Sequence, residues 1–192
     1  MKRIVITGAE STGKTRLTRA LSDHFHAPHS KEYVRSFVDS INRPIVVSDF
    51  CKIVQGQVGL EKEACLQARQ QTCKLVFHDT NILSNLIYGR HYLEASAKDI
   101  ETAGLGSGIG FIGQAPYDLY LFCQNDIPWK PDGRQRDSAR ARDHLHEQFA
   151  QSLTNISALN ATNAKTVLIC GSPEKRLNLA INAVDACLRT EA

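Results

Sequence analysis

The chain has 192 residues, of which 42% are hydrophobic, and a formal net charge of +3 from 23 basic and 20 acidic residues. That is enough apolar material for one substantial core and too little for two, so a single domain over residues 1–192 is expected. The charges form no long run of one sign, which argues against a nucleic-acid or membrane-surface partner. The apolar run after Lys2 and Arg3 stops at Ile6, too short for a secretory leader, and no stretch reaches the roughly 18 apolar residues of a membrane span. A cytoplasmic setting is therefore expected. The six cysteines, Cys51, Cys65, Cys73, Cys123, Cys170 and Cys187, stand singly without a CxxC pair, as buried free thiols in a reducing compartment would.

In chain order, short apolar runs alternate with longer helix-like stretches, the pattern of a parallel sheet covered by helices on both faces. Strands are predicted over 3–7, just before Lys31, and over 74–78, 119–123 and 166–170. Helices are predicted over 14–24, 49–71, 82–96, 139–159 and 173–188. Ser48 is placed to cap the second of these, and Ser172-Pro173 opens the last with a cap and a first-turn proline. Gly56 and Gly59 interrupt the second helix at about 1 kcal/mol each relative to alanine, which close packing by a neighbouring element would explain. The glycine-rich stretch 103–113 follows a helix and leads toward a strand, the reverse of a dinucleotide loop, and reads as a connection.

Gly8-Ala9-Glu10-Ser11-Thr12-Gly13-Lys14-Thr15 satisfies G-x-x-x-x-G-K-[ST] between a predicted strand and a predicted helix. Glycines at the ends let backbone N–H groups turn inward onto phosphate oxygens, and the following helix adds the positive end of its dipole. ATP is thus assigned to Gly8, Ala9, Glu10, Ser11, Thr12, Gly13, Lys14 and Thr15, with Lys14 reaching the β- and γ-phosphates and the Thr15 hydroxyl facing Mg²⁺. The expected architecture is an α/β P-loop NTPase fold of nucleoside- and nucleotide-kinase type, a central parallel sheet flanked by helices with a small lid.

Val76-Phe77-His78-Asp79 ends an apolar strand in a carboxylate, suited to the metal side of the site or to taking a proton. Thr80 follows where many motor-type ATPases carry a water-activating glutamate, and no Asn-Lys-x-Asp segment for guanine is present. Transfer to a bound hydroxyl is left as the purpose. His78 alternates away from Asp79 along the strand and reads as a packed or hydrogen-bonded residue. His144 and His146 face different sides of a predicted helix, which makes a metal pair improbable.

Residues 126–147 read as a lid, with five acidic and five basic side chains; a solvated helix is the plainer alternative. Arg134 and Arg136 are candidates to close over the transferred phosphoryl group. Trp129, the only tryptophan, sits between Pro128 and Pro131, where it could stack on a planar base or pack in the core. Glu32, Tyr33 and Arg35 follow the second predicted strand, where an acceptor would lie, although surface charge also accounts for Glu32 and Arg35.

In order along the chain, Gly8 to Thr15, Glu32-Tyr33-Val34-Arg35, Gln57, His78-Asp79-Thr80, Tyr117-Asp118-Leu119 and Pro128-Trp129 ahead of Asp132-Gly133-Arg134 resemble the ribosylnicotinamide kinase domain of the NadR family. The phosphate loop is widely shared; the E-Y-x-R, D-T and P-W-x-x-D-G-x-R elements are far more specific. The resemblance implies a kinase that uses ATP and Mg²⁺ to phosphorylate the 5′-hydroxyl of nicotinamide riboside. It implies Lys14, Asp79, Glu32, Arg134 and Arg136 in catalysis, with Asp79 or Glu32 as the base. Thr15 and Asp79 would serve the metal, and Glu32, Tyr33, Arg35, Gln57, Trp129 and Asp132 the acceptor. Residue 81 is asparagine where that family usually has a second acid. A kinase for another nucleoside or small metabolite, or a regulatory ATP-binding module, stands as the alternative. Among partners, a small nucleoside is expected and a homo-oligomer is possible.

Overall fold

Along β1 (Lys2–Thr7) alternate side chains go to opposite faces. Ile4 and Ile6 pack with Leu17, Leu21, Phe77, Leu121, Ala180 and Val184, whereas Val5 packs with Phe50, Leu83, Tyr120, Phe122 and Phe149. Both faces of the strand are apolar because both are covered, the condition under which parallel sheets persist. The computed structural model describes residues 1–104, 117–129, 139–158 and 164–190. The remaining strands are β2 (His29–Ser30), β3 (Leu75–Asp79), β4 (Leu119–Cys123) and β5 (Lys165–Ile169), all parallel in the order β2-β3-β1-β4-β5. Helices α1 (Lys14–Phe25) and α7 (Pro173–Arg189) cover one face; α3 (Phe50–Gln70), α4 (Ile82–Tyr92) and α6 (Ala139–Ala158) cover the other. Two shorter helices, α2 (Tyr33–Ile41) and α5 (Ala97–Thr102), complete the described elements.

The phosphate-loop strand lies between β3 and β4, with Ile6 opposite Asp79 and Thr7 opposite Phe122. Chain connections leave β1 and β3 on opposite sides of the sheet, opening a crevice beyond their carboxyl ends, the place where open α/β sheets bind ligands.

Several sequence expectations are corrected. Helix α2 is absent from the sequence reading; its single fully buried side chain, Phe37, leaves little periodic signal in nine residues. The helix expected over 82–96 ends at Tyr92, ahead of Glu94 at a left-handed φ of 50°, and α5, which the sequence reading lacks, is started by a box in which Ser96 and Asp99 bond each other's backbone N–H. Ser48 lies within a 3-10 turn at Val47–Asp49 and does not cap α3, which starts at Phe50. Gly56 is packed as expected: a Cβ there would sit 2.2 Å from the Tyr33 ring. Gly59 meets nothing within 4 Å, and nothing in the structure explains it. All six cysteines are free, but only Cys123 is fully buried.

His78 is fully buried with Nδ1 2.8 Å from the Ser30 hydroxyl, and Arg3 Nε donates to its Nε2 at 3.4 Å. Burial and then the Arg3 charge push it down to about 3, so it is a neutral packed residue, as its place on the strand suggested. Arg3 also reaches Glu61 at 2.9 Å, and the Tyr117 hydroxyl donates to the same carboxylate at 2.7 Å. Burial nevertheless pushes Glu61 up to about 7.

Candidate active site

The phosphate loop turns through three residues of positive φ, Gly8 at 136°, Ser11 at 58° and Gly13 at 82°. At Gly8 the requirement is absolute, because a Cβ would lie 2.7 Å from the Cys123 carbonyl oxygen. The Thr12 hydroxyl donates to the Ala9 carbonyl at 2.7 Å and closes the loop on itself. Lys14 is buried and its Nζ donates to the same carbonyl at 2.7 Å.

Arg176 of α7 holds this loop from behind and was missed by sequence reasoning. Its guanidinium donates to the Thr12 carbonyl at 3.1 Å, the Gln124 carbonyl at 3.0 Å and the Gly171 carbonyl at 2.8 Å, and pairs with Asp126. Asp126 in turn accepts from the Gly171 N–H at 2.6 Å. One buried cation thereby ties the phosphate loop to the ends of β4 and β5, a use of the rigid planar fork for which lysine is no substitute.

Two cavities meet at the carboxyl edge of the sheet. The larger, of about 670 Å³, is lined by Glu10, Lys14, Glu32 and Thr80, by Phe50, Ser84, Asn85, Tyr88 and Tyr92, and by the α2–α3 connection from Asn42 to Ile45. The smaller, of about 320 Å³, contains Thr15, Glu32, Arg35 and Asp79. Glu32 lines both, so the lysine, threonine and two carboxylates of the sequence reading converge on one junction. Arg35 Nε pairs with Glu32 at 2.5 Å.

Asp79 is buried, and its Oδ1 has no hydrogen-bond partner. Burial and then the Glu32 charge hold its carboxyl above the usual range, against the Thr15 hydroxyl and the charges of Lys14 and Arg35. An orphaned carboxylate oxygen sharing a polar cavity with the Thr15 side chain fits a divalent cation completed by phosphate and water oxygens. The peptide after Asp79 is strained: Thr80 takes φ 68°, rare for a β-branched residue, with its N–H on the Ile6 carbonyl at 3.0 Å. Asn81 then caps α4, its Oδ1 accepting from Leu83 N–H at 3.2 Å and its Nδ2 reaching the Tyr120 hydroxyl at 3.4 Å. The asparagine that departs from the NadR pattern thus occupies a buried helix cap.

Other sequence candidates divide. Tyr33 packs its ring against Gly56 and Phe37 and does not line either cavity. Gln57 is fully buried and its Oε1 accepts the Tyr33 N–H at 3.0 Å, so it seats the start of α2 rather than lining the acceptor cavity. Trp129 does not line the larger cavity either. Its segment leaves β4 on the opposite flank of β1 from β3, past Ile127, whose Cδ1 lies 3.7 Å from where a Gly13 Cβ would stand and whose carbonyl accepts from Arg142 at 2.8 Å. The indole N–H is enclosed without a partner among the described residues. Asp132, Arg134 and Arg136 lie outside the described residues, as does most of the glycine-rich connection. The aromatic walls of the larger cavity are instead Phe50, Tyr88 and Tyr92. The signal of Tyr88 and Tyr92 was hidden inside α4, whose buried residues run almost all round it.

A phosphate cradle that opens on a nucleoside-sized cavity, with a carboxylate at the junction, defines the class: a P-loop domain of the nucleoside- and nucleotide-kinase fold. The AAA domain family matches residues 3–176, and the chain belongs to that family. It is similar to the trifunctional NAD biosynthesis and regulator protein NadR of Salmonella typhimurium strain LT2, at 25% identity over 137 residues, covering 69% of this chain and 30% of that protein. The Escherichia coli K12 protein of the same name gives 25% over 139 residues with the same coverage. Among solved structures, NadR in complex with NR superposes with a TM-score of 0.73 at 26% identity, over 95% of this chain and 50% of the other. A deoxyadenosine kinase from M. mycoides shares the fold, with a TM-score of 0.62 at 11% identity over 96% and 99% of the two chains. The chain therefore spans about a third of the curated relatives and half of the solved one. No helix among the described residues is long and apolar enough to cross a membrane.

Proposed function

We propose that the chain transfers the γ-phosphoryl group of ATP to the 5′-hydroxyl of nicotinamide riboside, giving nicotinamide mononucleotide in the cytoplasm. The observation that carries this reading is the 670 Å³ cavity, which shares Lys14 with the phosphate loop and Glu32 with the Asp79 side of the site. It has room for a nucleoside, flat walls at Tyr88 and Tyr92, and amide and hydroxyl groups at Asn85 and Ser84 suited to a carboxamide or sugar. A related structure of NadR with NR bound supports the choice of acceptor, and one with NAD and AMP-PNP supports the nucleotide.

In this reading Lys14 and the loop N–H groups hold the phosphates, while Asp79, made more basic than an ordinary carboxylate by burial and the Glu32 charge, takes the proton from the attacking hydroxyl. Thr15 and Asp79 would hold Mg²⁺, which would supply charge neutralisation on the phosphates when bound. Glu32 orients the acceptor, and Arg134 and Arg136 close over the transferred group. The experiment is ADP release against a panel of nucleosides: rapid turnover with nicotinamide riboside and slow turnover with uridine, cytidine and adenosine is expected. Rapid turnover with another nucleoside instead would identify a different acceptor, and slow turnover with all of them a regulatory module.

A further inference from the structure

A carboxylate in the middle of a phosphate loop is electrostatically out of place, since the loop exists to gather negative charge. Glu10 is such a residue. Its side chain lines the acceptor cavity: Oε2 accepts from the Tyr88 hydroxyl at 3.3 Å, while Oε1 is buried without any hydrogen-bond partner. Among the described residues the cations near this cavity have other partners. Arg43 is held by both oxygens of Asp49, at 2.7 and 2.9 Å, Arg35 by Glu32, and Lys14 by the Ala9 carbonyl. Glu10 forms no ion pair with any of them. The Tyr88 phenol, half-buried on the α4 wall of the cavity, is held far above its usual range by burial and then by the charges of Glu10 and Glu32. Two carboxylates therefore bear on one wall of the acceptor cavity.

We propose that Glu10 is a specificity determinant that makes the cavity select an acceptor bearing a positive charge on its aromatic ring, over a neutral acceptor of the same shape. This rests on the riboside reading above and adds to it the residue that reads the charge. A cationic ring offsets the unpaired carboxylate without having to reach hydrogen-bond distance, whereas a neutral ring leaves the charge buried beside the nucleotide's own. The Tyr88 hydroxyl fixes the Glu10 side chain toward the cavity and away from the phosphates.

The test compares kcat/KM for nicotinamide riboside with that for its 1,4-dihydropyridine form, which keeps the sugar and carboxamide and lacks the charge. Taking the ratio cancels any effect of a variant on ATP handling. In the unaltered protein the cationic form is expected to be strongly preferred, and Glu10→Gln should lower that preference by about tenfold or more. Glu10→Asp, which keeps the charge, should retain most of it. Equal losses for both forms in Glu10→Gln would make Glu10 a partner of sugar hydroxyls and overturn the proposal, as would a glutamine-like ratio in Glu10→Asp. An unaltered protein that accepts both forms equally overturns the proposal and leaves the riboside reading standing. One that accepts neither, yet phosphorylates a neutral nucleoside, overturns both.

Discussion

The phosphate side and the acceptor side of this site are built in different ways. The phosphate side is eight consecutive residues whose geometry follows from two glycines and a strand-to-helix junction, locked from behind by Arg176. The acceptor side is gathered from α2, the α2–α3 connection, α4 and the loop itself, so its lining runs from Glu10 to Leu93. A local site resists change except at its few defining atoms; a distributed one can alter its ligand by changing any of several walls. The sheet edge thus joins a constant reagent site to an adjustable acceptor site.

The sharpest way to break that comparison is at Lys14. Lys14→Ala should lower kcat/KM by at least about 10³-fold for every acceptor alike, since it removes charge from the group being transferred. A loss confined to one acceptor would show the two sides to be less separate than drawn. Unfolding in denaturant, run alongside, should show the fold retained.

Asp79→Asn comes next, with an expected loss of about 10²–10³-fold in kcat and little change in ATP affinity. Because the Asp79 carboxyl is held above its ordinary value, the acid limb of the kcat profile should fall at a pH above that of an unperturbed aspartate, about 3.9. Activity is lost as pH drops through that limb, and the asparagine variant should lack it. A loss expressed wholly as weaker acceptor binding would transfer the base role to Glu32.

Arg176→Met tests the lock. Removing the buried guanidinium leaves the Thr12, Gln124 and Gly171 carbonyls without their donor and should cost about 1–3 kcal/mol of stability by denaturant unfolding. It should raise KM for ATP more than KM for the acceptor. The smallest effects are expected in the aromatic residues: Tyr92→Ala should weaken the acceptor by about tenfold, and Trp129→Ala by less than about threefold. The reverse order would return the stacking role to Trp129.

The phosphate loop, four strands to within a residue or so, the fold class and the junction of Lys14, Thr15, Glu32 and Asp79 were legible in the sequence, because each depends on neighbours along the chain. Periodicity identifies a strand, and a glycine-framed loop states its own backbone path. Tertiary structure alone decided the rest. It chose Ser30 and Arg3 as the partners of His78, used Gln57 to seat α2, and made Asn81 a helix cap. It carried the segment ahead of Trp129 past Gly13 and brought Tyr88 to within a hydrogen bond of Glu10, 78 residues earlier. Such assignments depend on which faces meet across the sheet, and a one-dimensional pattern records which residues are apolar without recording what they meet.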